Sequence, residues 1–407
     1  MKNLLYLVHR LPYPPNKGDK ISSFNLLRYF SSRYRVFLGT FVDDPQDRQY
    51  VDTVRDYCAG ACFVDLNPQT AKIASLRGLL TGEALTVAYY RNPQLKAWVD
   101  EVFADSPPDA VLMYSGAMGQ YVPDTLPQEV PSVFIMEDID SDKWRGYAAT
   151  KPWPLSWLYA RESRRLFAFE RAKAGQFDIS VFISPEESKL FQRMAPEVAD
   201  KVTYRTQGVD SDFHDPAIEL ENPYPADVQP LVFCGAMDYW PNVDAVVWYV
   251  EEVLPRVRDH VPNVLFCIVG MNPTERVLKL GEQPNVSVTG AVPDVRPYVR
   301  HAYAAVLPLR IARGIQNKAL EAMSMETPVI ATPDALNGII ACPEFNPHVC
   351  QNAEDLFNAT VSQLNRSGER DPGGRDCVLR HYNWDANLRR IGKMLEHGEI
   401  VESEPIR

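Results

Sequence analysis

The chain is poor in several features that would place it in a familiar class. Its 407 residues include seven cysteines, an odd number, with no CxxC and only one close pair, Cys58 and Cys62. No histidine cluster lies nearby to complete a zinc site. The expectation is therefore reduced, mostly buried thiols in a cytosolic protein. Positive charge is also scarce: 42 Lys and Arg stand against 53 Asp and Glu, for a net charge of −11. Proteins that hold nucleic acid by bulk electrostatics are usually basic, so no nucleic-acid partner is expected. A small anion needs only a local positive spot and stays open. Long apolar runs are missing, since none approaches the ~20 residues of a membrane span. The opening run Leu4–Val8 is cut short by His9-Arg10, too soon for a signal peptide. A cytoplasmic protein is expected, bound at most peripherally to the inner face of the plasma membrane. There is no G-x-S-x-G, no cysteine beside a plausible histidine and no GxxxxGK[ST]. Those gaps remove the serine and cysteine hydrolases and phosphoryl transfer from ATP.

What is present is alternation. At roughly 100–200 residues per domain the length suggests two domains. The first half reads as strands at Leu4–His9, Arg35–Phe41, Cys62–Leu66, Ala110–Ser115, Ser132–Asp138, Asp178–Ser184 and Lys201–Gln207. Helical patterns such as Ile21–Ser32 and Asn92–Ala104 lie between them. The second half repeats the theme, with strands at Leu231–Gly235, Val264–Gly270, Val286–Thr289, Ala304–Leu309 and Pro328–Thr332. Helices are expected over Val243–Val257, Val295–His301 and Gln316–Met325. Strand–helix alternation predicts parallel sheets covered on both faces. A polar, Pro-rich stretch from His214 to Pro225 reads as the linker. The expected domains are 1–215, 226–380, and a helix and tail over 381–407 that can pack back on the first. In open α/β sheets ligands bind beyond the carboxyl ends of the strands, so the loops there carry the search for chemistry.

The most informative stretch runs from Leu307 to Met323. A buried strand ends at Leu309, a loop with Arg310, Arg313 and Gly314 follows, and a helix is expected to begin near Ile315. The free N–H groups and dipole of such a helix start suit a diphosphate. Arg310, Arg313 and Lys318 add positive charge at the same spot. Lys318 and Glu321, three apart, share one helix face. Glu321 lies about 9 Å along the helix, within reach of ribose hydroxyls. The competing interpretation is a solvated Lys–Glu pair on an ordinary helix.

This segment resembles the signature of glycosyltransferase family 4, retaining enzymes of the GT-B fold. The family pattern ends its helix in Glu-Ala-Met and continues small-Gly-x-Pro-Val-Ile; here Lys318-Ala-Leu-Glu-Ala-Met-Ser-Met-Glu-Thr-Pro-Val-Ile stands. Two positions depart: Arg313 occupies the place of a first glutamate, and Glu326 that of the glycine at the helix exit. Three further segments resemble the family in the right order. They are Gln207-Gly-Val-Asp, the strand and loop Phe233–Asn242 with Gly235 and Asp238, and Val288–Val295 with Gly290 and Val292. Pro12-Tyr-Pro-Pro-x-x-Gly-Asp and Asp138-x-Asp-Ser-x-Lys-Trp are similar to the sugar transferases of PEP-CTERM/exosortase exopolysaccharide systems.

The resemblance implies a GT-B fold: two Rossmann-like domains with parallel sheets facing across a cleft. It also implies a UDP- or GDP-sugar donor and a glycan or polyprenyl-linked acceptor, with no cofactor and no metal. The catalytic candidates are Asp138, Asp140, Arg310 and Lys318. The donor-binding candidates are Gly18, Gly235, Asp238, Gly290, Val292, Arg313, Gly314, Ile315 and Glu321. Gly18 would allow close backbone approach, and Lys17 and Lys20 beside it could meet phosphate. Asp138 and Asp140 also spell a DxD, which in the other large transferase fold holds a metal; the alternatives are acceptor orientation or helix capping. Lys151–Lys173 interleaves aromatic and basic residues, a pattern of either membrane docking or a solvated helix with a buried aromatic face. A nucleotide-sugar epimerase and a non-catalytic binder with a worn site are the rival functions.

Overall fold

A computed structural model describes residues 1–15, 17–127, 129–206, 208–312, 315–366 and 368–401. The described residues divide into two compact units, Met1–Thr206 with residues 385–401, and the stretch up to Trp384 that follows Thr206. The Pro-rich stretch from His214 to Pro225 thus lies inside the second unit. His214 O accepts from Ser324 Oγ at 2.8 Å and from Arg375 Nη1 at 3.0 Å, and Tyr224 Oη donates to Tyr298 O at 2.8 Å, so the stretch is tied to the same unit.

The first unit holds seven strands: β1 (Asn3–Val8), β2 (Arg35–Val42), β3 (Gly60–Asp65), β4 (Ala110–Tyr114), β5 (Ser132–Glu137), β6 (Ile179–Phe182) and β7 (Val202–Tyr204). Their order is β3-β2-β1-β4-β5-β6-β7, and every pairing is parallel. Leu4 to Val8 and Val111 to Tyr114 are fully buried. Continuous apolar runs of this kind belong to strands covered on both faces, not to alternating half-exposed ones.

The second unit repeats the order with β8 (Gln229–Cys234), β9 (Val264–Val269), β10 (Val286–Gly290), β11 (Ala304–Leu307), β12 (Val329–Ala331) and β13 (His348–Val349). These lie as β10-β9-β8-β11-β12-β13, again all parallel. In both sheets the chain reverses its direction of travel across the sheet after the third strand. The switch points therefore fall between β1 and β4 and between β8 and β11.

Three expectations need correction. The single helix expected over Val243–Val257 is interrupted: Trp240–Trp248 is α-helical, Tyr249–Val253 forms a π turn, and Leu254–His260 resumes the α-helix. Pro255 explains the break, since it has no N–H to give and its ring crowds the carbonyl four residues back. β13 has only two residues and was invisible to periodicity. The thiols are not all reduced: Cys342 and Cys377 are joined, their α-carbons 5.9 Å apart, while Cys58, Cys62, Cys234, Cys267 and Cys350 are free. Thirty-five residues separate the joined pair in sequence, and only the fold brings them together.

Candidate active site

In the second unit, both loops at the switch point lead into helices. The loop after β8 enters Trp240–Trp248, and the loop after β11 enters Asn317–Ser324. Lys318, in the first turn of the latter, bridges them: its Nζ donates to Asn242 Oδ1 at 2.6 Å and lies 4.6 Å from the Phe233 ring centre. The ammonium thus stands over the carboxyl end of β8. Burial pushes it down to about 8, with the fields of Cys234 and Glu321 acting the other way. Burial, and after it the Glu321 carboxylate, pushes the Cys234 thiol up. A cation held by a neutral amide, with its carboxylate neighbour at i+3, is an incomplete charge arrangement that an incoming anion would complete.

Glycine is required here by close approach. A Cβ on Gly235 would sit 2.7 Å from Asn242 Nδ2 and 3.3 Å from Lys318 Nζ. A Cβ on Gly270 would fall 1.7 Å from the Gly235 carbonyl oxygen. Gly270 also donates its N–H to Gly290 O at 3.1 Å. Gly235, Gly270 and Gly290 therefore form a row of bare backbone across the carboxyl ends of β8, β9 and β10. The sequence reading found the first and last and missed Gly270, although it directly follows a strand. It also missed Asn242, which is buried and gives its Nδ2 to Ala236 O at 2.9 Å.

The remaining donor candidates are placed less centrally. Arg310 forms a two-pronged pair with Asp244 (Nε to Oδ2 3.0 Å, Nη2 to Oδ1 2.6 Å) and lies 5.1 Å over Trp248. Its charge is thus already matched, unlike that of Lys318. Asp238 is exposed and accepts from Asn272 Nδ2 at 3.2 Å. Val292 and Ile315 are half-buried against the core. Arg313 and Gly314 lie outside the described residues.

At the helix exit, Glu326 has φ 57°, the left-handed region that glycine tolerates best. Its N–H bonds Met323 O at 3.0 Å, and the Thr327 N–H bonds Ala322 O at 2.9 Å. That double closure is a Schellman motif, built here with glutamate at its glycine position.

In the first unit the carboxyl ends of the strands are crowded with matched charges. Asp138 and Asp140 close on Lys143, at 2.7 and 3.1 Å. Burial would lower the Lys143 ammonium, but the two carboxylates outweigh it and raise it well above the usual range. Both aspartates are thus held by an internal cation. Gly18 is exposed at the first position of helix Gly18–Ser31. Lys17 is exposed just before it, whereas Lys20 is buried in a pair with Asp47 at 2.5 Å and has no free charge for phosphate.

Three features of this unit escaped the sequence reading. His9, immediately after β1, places Nε2 3.3 Å from Asp19, which also meets Arg10 at 3.0 Å. Burial would raise the Asp19 carboxyl, but His9 and Arg10 hold it well below the usual range. The His9 ring is stacked on Tyr114, and its Nδ1 is buried with no hydrogen-bond partner among the described residues. Glu137, at φ 66°, ends β5 and is paired with the buried Arg205. Ser115, at φ 80°, follows β4. Non-glycine residues in the left-handed region cost energy and collect at functional sites. Position at the carboxyl end of an expected strand was the one sequence signal that all three carried.

Comparison with known proteins agrees with this geometry. Residues 229–365 match the family model "Glycosyl transferases group 1". No curated protein sequence matches the chain significantly. Sucrose-phosphate synthase from Thermosynechococcus elongatus superposes with a TM-score of 0.68 at 17% identity, covering 97% of this chain and 98% of that one. WaaG, a glycosyltransferase involved in lipopolysaccharide biosynthesis, gives 0.64 at 16%, over 97% and 100%. Anabaena HepE, in complex with UDP and glucose, gives 0.62 at 12%, over 98% and 100%. At such identities the likeness is one of fold. The chain accordingly has the GT-B fold, two α/β units with parallel sheets of seven and six strands, and its second unit carries the segment that matches the glycosyl transferases group 1 model.

Proposed function

We propose that the protein is a retaining glycosyltransferase that moves a hexosyl group from a nucleotide-diphosphate sugar to a glycan or lipid-linked acceptor in exopolysaccharide assembly. The observation that carries this reading is the Lys318 ammonium over the carboxyl end of β8, bonded to a neutral amide. In this reading Lys318 and Arg310 meet the diphosphate, and Glu321 holds the ribose. The bare backbone at Gly235 and Gly290 leaves room for the nucleotide. Negative charge grows on the leaving diphosphate as the glycosidic bond breaks, and fixed cations stabilise it without reorganisation. That makes a metal unnecessary in principle. In the first unit, Asp138 and Asp140, with His9 held by Asp19, are assigned to orienting the acceptor hydroxyl. The family resemblance supports retention and the exopolysaccharide role, and HepE bound to UDP and glucose supports a uridine donor.

The test is a thermal-shift series with UDP-, GDP- and ADP-sugars. One of them should stabilise the protein, by about 2.7 kcal/mol at a hundredfold excess over Kd. Glu321→Ala and Lys318→Ala should abolish that response. If none of the three donors shifts the melting temperature, the donor site is wrongly assigned.

A further inference from the structure

Acidic residues are abundant in this chain, and two of the stretches that lack them also carry exposed apolar side chains. Leu66–Gly82 and Lys143–Arg161 contain no Asp or Glu, although the whole sequence has 53. The same stretches hold the most exposed large apolar side chains of the first unit's interior sequence: Leu80 is 92% exposed, Trp153 81%, Ile73 71% and Trp157 55%. Exposed apolar residues are ordinary when scattered, but clustered ones mark a contact surface.

The two stretches are joined in space. Helix Leu155–Gln176 turns Arg161 inward, where Nη2 donates to Gly78 O at 2.5 Å and Nη1 to Glu83 O at 3.1 Å. The neighbouring Glu162 accepts the N–H groups of Leu85 and Thr86 at 2.7 and 2.8 Å. The charged groups on this helix's inner face are therefore used to clamp the 78–86 turn, and its aromatic start is left outside. Lys72, Arg77 and Lys151 lie within these stretches and Arg164 and Arg165 just beyond, and none of the five forms an ion pair among the described residues. A depression of about 500 Å³ lined by Arg77, Thr81, Gly82, Glu83 and Arg91 opens beside Leu80.

We propose that this face of the first unit docks on an anionic lipid bilayer. Protruding tryptophan and leucine would enter the headgroup–acyl boundary, and the unpaired cations would meet lipid phosphates. Charge decides for a bilayer. A protein of net charge −11 is repelled overall by an anionic membrane, so approach needs a face where acids are absent and cations stand beside exposed apolar side chains, the combination found here. The exposed apolar side chains do not line the depression, which suits a soft planar partner. The proposal rests on the glycosyltransferase reading only in that it places the enzyme where a lipid-linked acceptor lies.

The test is co-sedimentation of the full chain with vesicles of phosphatidylcholine containing one third phosphatidylglycerol, and with phosphatidylcholine alone. Binding to the anionic vesicles is expected at least about tenfold tighter, weakened by salt, with a blue shift of tryptophan emission. Leu80→Glu combined with Trp153→Glu should weaken it by about tenfold or more, while Leu278→Glu in the second unit should not. All three side chains are exposed, so an unchanged melting temperature is expected and verifies the fold. No sedimentation of the parent protein, or equal sedimentation of the double variant, overturns the proposal. So does a dimer in sedimentation velocity that the double variant dissociates, since a second copy would then cover the face. The donor thermal shift of the same variants should be unaltered, which separates failure of docking from failure of the donor assignment.

Discussion

The two units share one strand order but treat charge in opposite ways. At the carboxyl ends of the first sheet nearly every charge has its counter-charge: Glu137 with Arg205, Lys20 with Asp47, Asp138 and Asp140 with Lys143, Asp19 with His9 and Arg10. At the switch point of the second sheet Lys318 leans on a neutral amide. The same fold therefore carries a rim of paired charges in one unit and, in the other, a buried ammonium that forms no ion pair among the described residues. A charge without its partner is costly to stability and useful to binding.

The sharpest way to break this comparison is to remove one cation from each unit. Arg205→Leu strands a part-buried Glu137 and should destabilise the first unit by about 3–5 kcal/mol in denaturant unfolding. Lys318→Met should leave stability unchanged or raise it, because a desolvated ammonium is lost, while UDP affinity by calorimetry falls by about a hundredfold. If the two variants lose stability equally, the contrast is wrong. With Lys318 brought down to about 8, donor affinity of the unaltered protein should also decline as pH rises beyond that value.

A smaller effect separates the units by pH. Burial, followed by the field of Asp140, raises the Glu170 carboxyl from 4.5 to about 8, against hydrogen bonds from Ser141. Ser141 N–H and Oγ donate to it at 3.1 and 2.6 Å. Its folded value exceeds its unfolded one, so its contribution to stability is complete below about 4.5 and is lost as pH rises through about 8. Glu170→Gln keeps both bonds and should flatten this decline, by up to about 1.4 kcal/mol per pH unit, in unfolding measured from pH 5 to 9. An unchanged slope would show that Glu170 is ionised throughout.

The smallest effect concerns the helix that carries Lys318. Glu326→Gly relieves the left-handed backbone at its exit and should stabilise the second unit by about 0.5–1 kcal/mol. A loss of stability would mean that the Glu326 side chain contributes more than its backbone costs. Because Asp371 N–H bonds Glu326 O at 3.0 Å through the main chain, that link survives the substitution.

Much of the architecture was legible in the chain. Twelve of the thirteen strands among the described residues appear as apolar runs, most continuously at β1 and β4, where burial on both faces tolerates little else. The helix holding Lys318 and Glu321 was legible for a different reason: residues three apart share a face whatever surrounds the helix. The π turn, the Cys342–Cys377 link and the pairing of Arg310 with Asp244 were not legible. Each depends on where a distant or crowded neighbour comes to rest.

The sequence by itself determined the local chemistry: which runs extend, where chain direction can turn, and which loops follow strands. Tertiary structure alone decided which charges are spent. Lys20 and Lys318 are both lysines in the first turn of a helix after a switch-point strand, and nothing local tells them apart. One meets Asp47 from 27 residues away and the other meets Asn242 from 76, and the difference between a carboxylate and an amide at those long separations settles which of them has its charge matched.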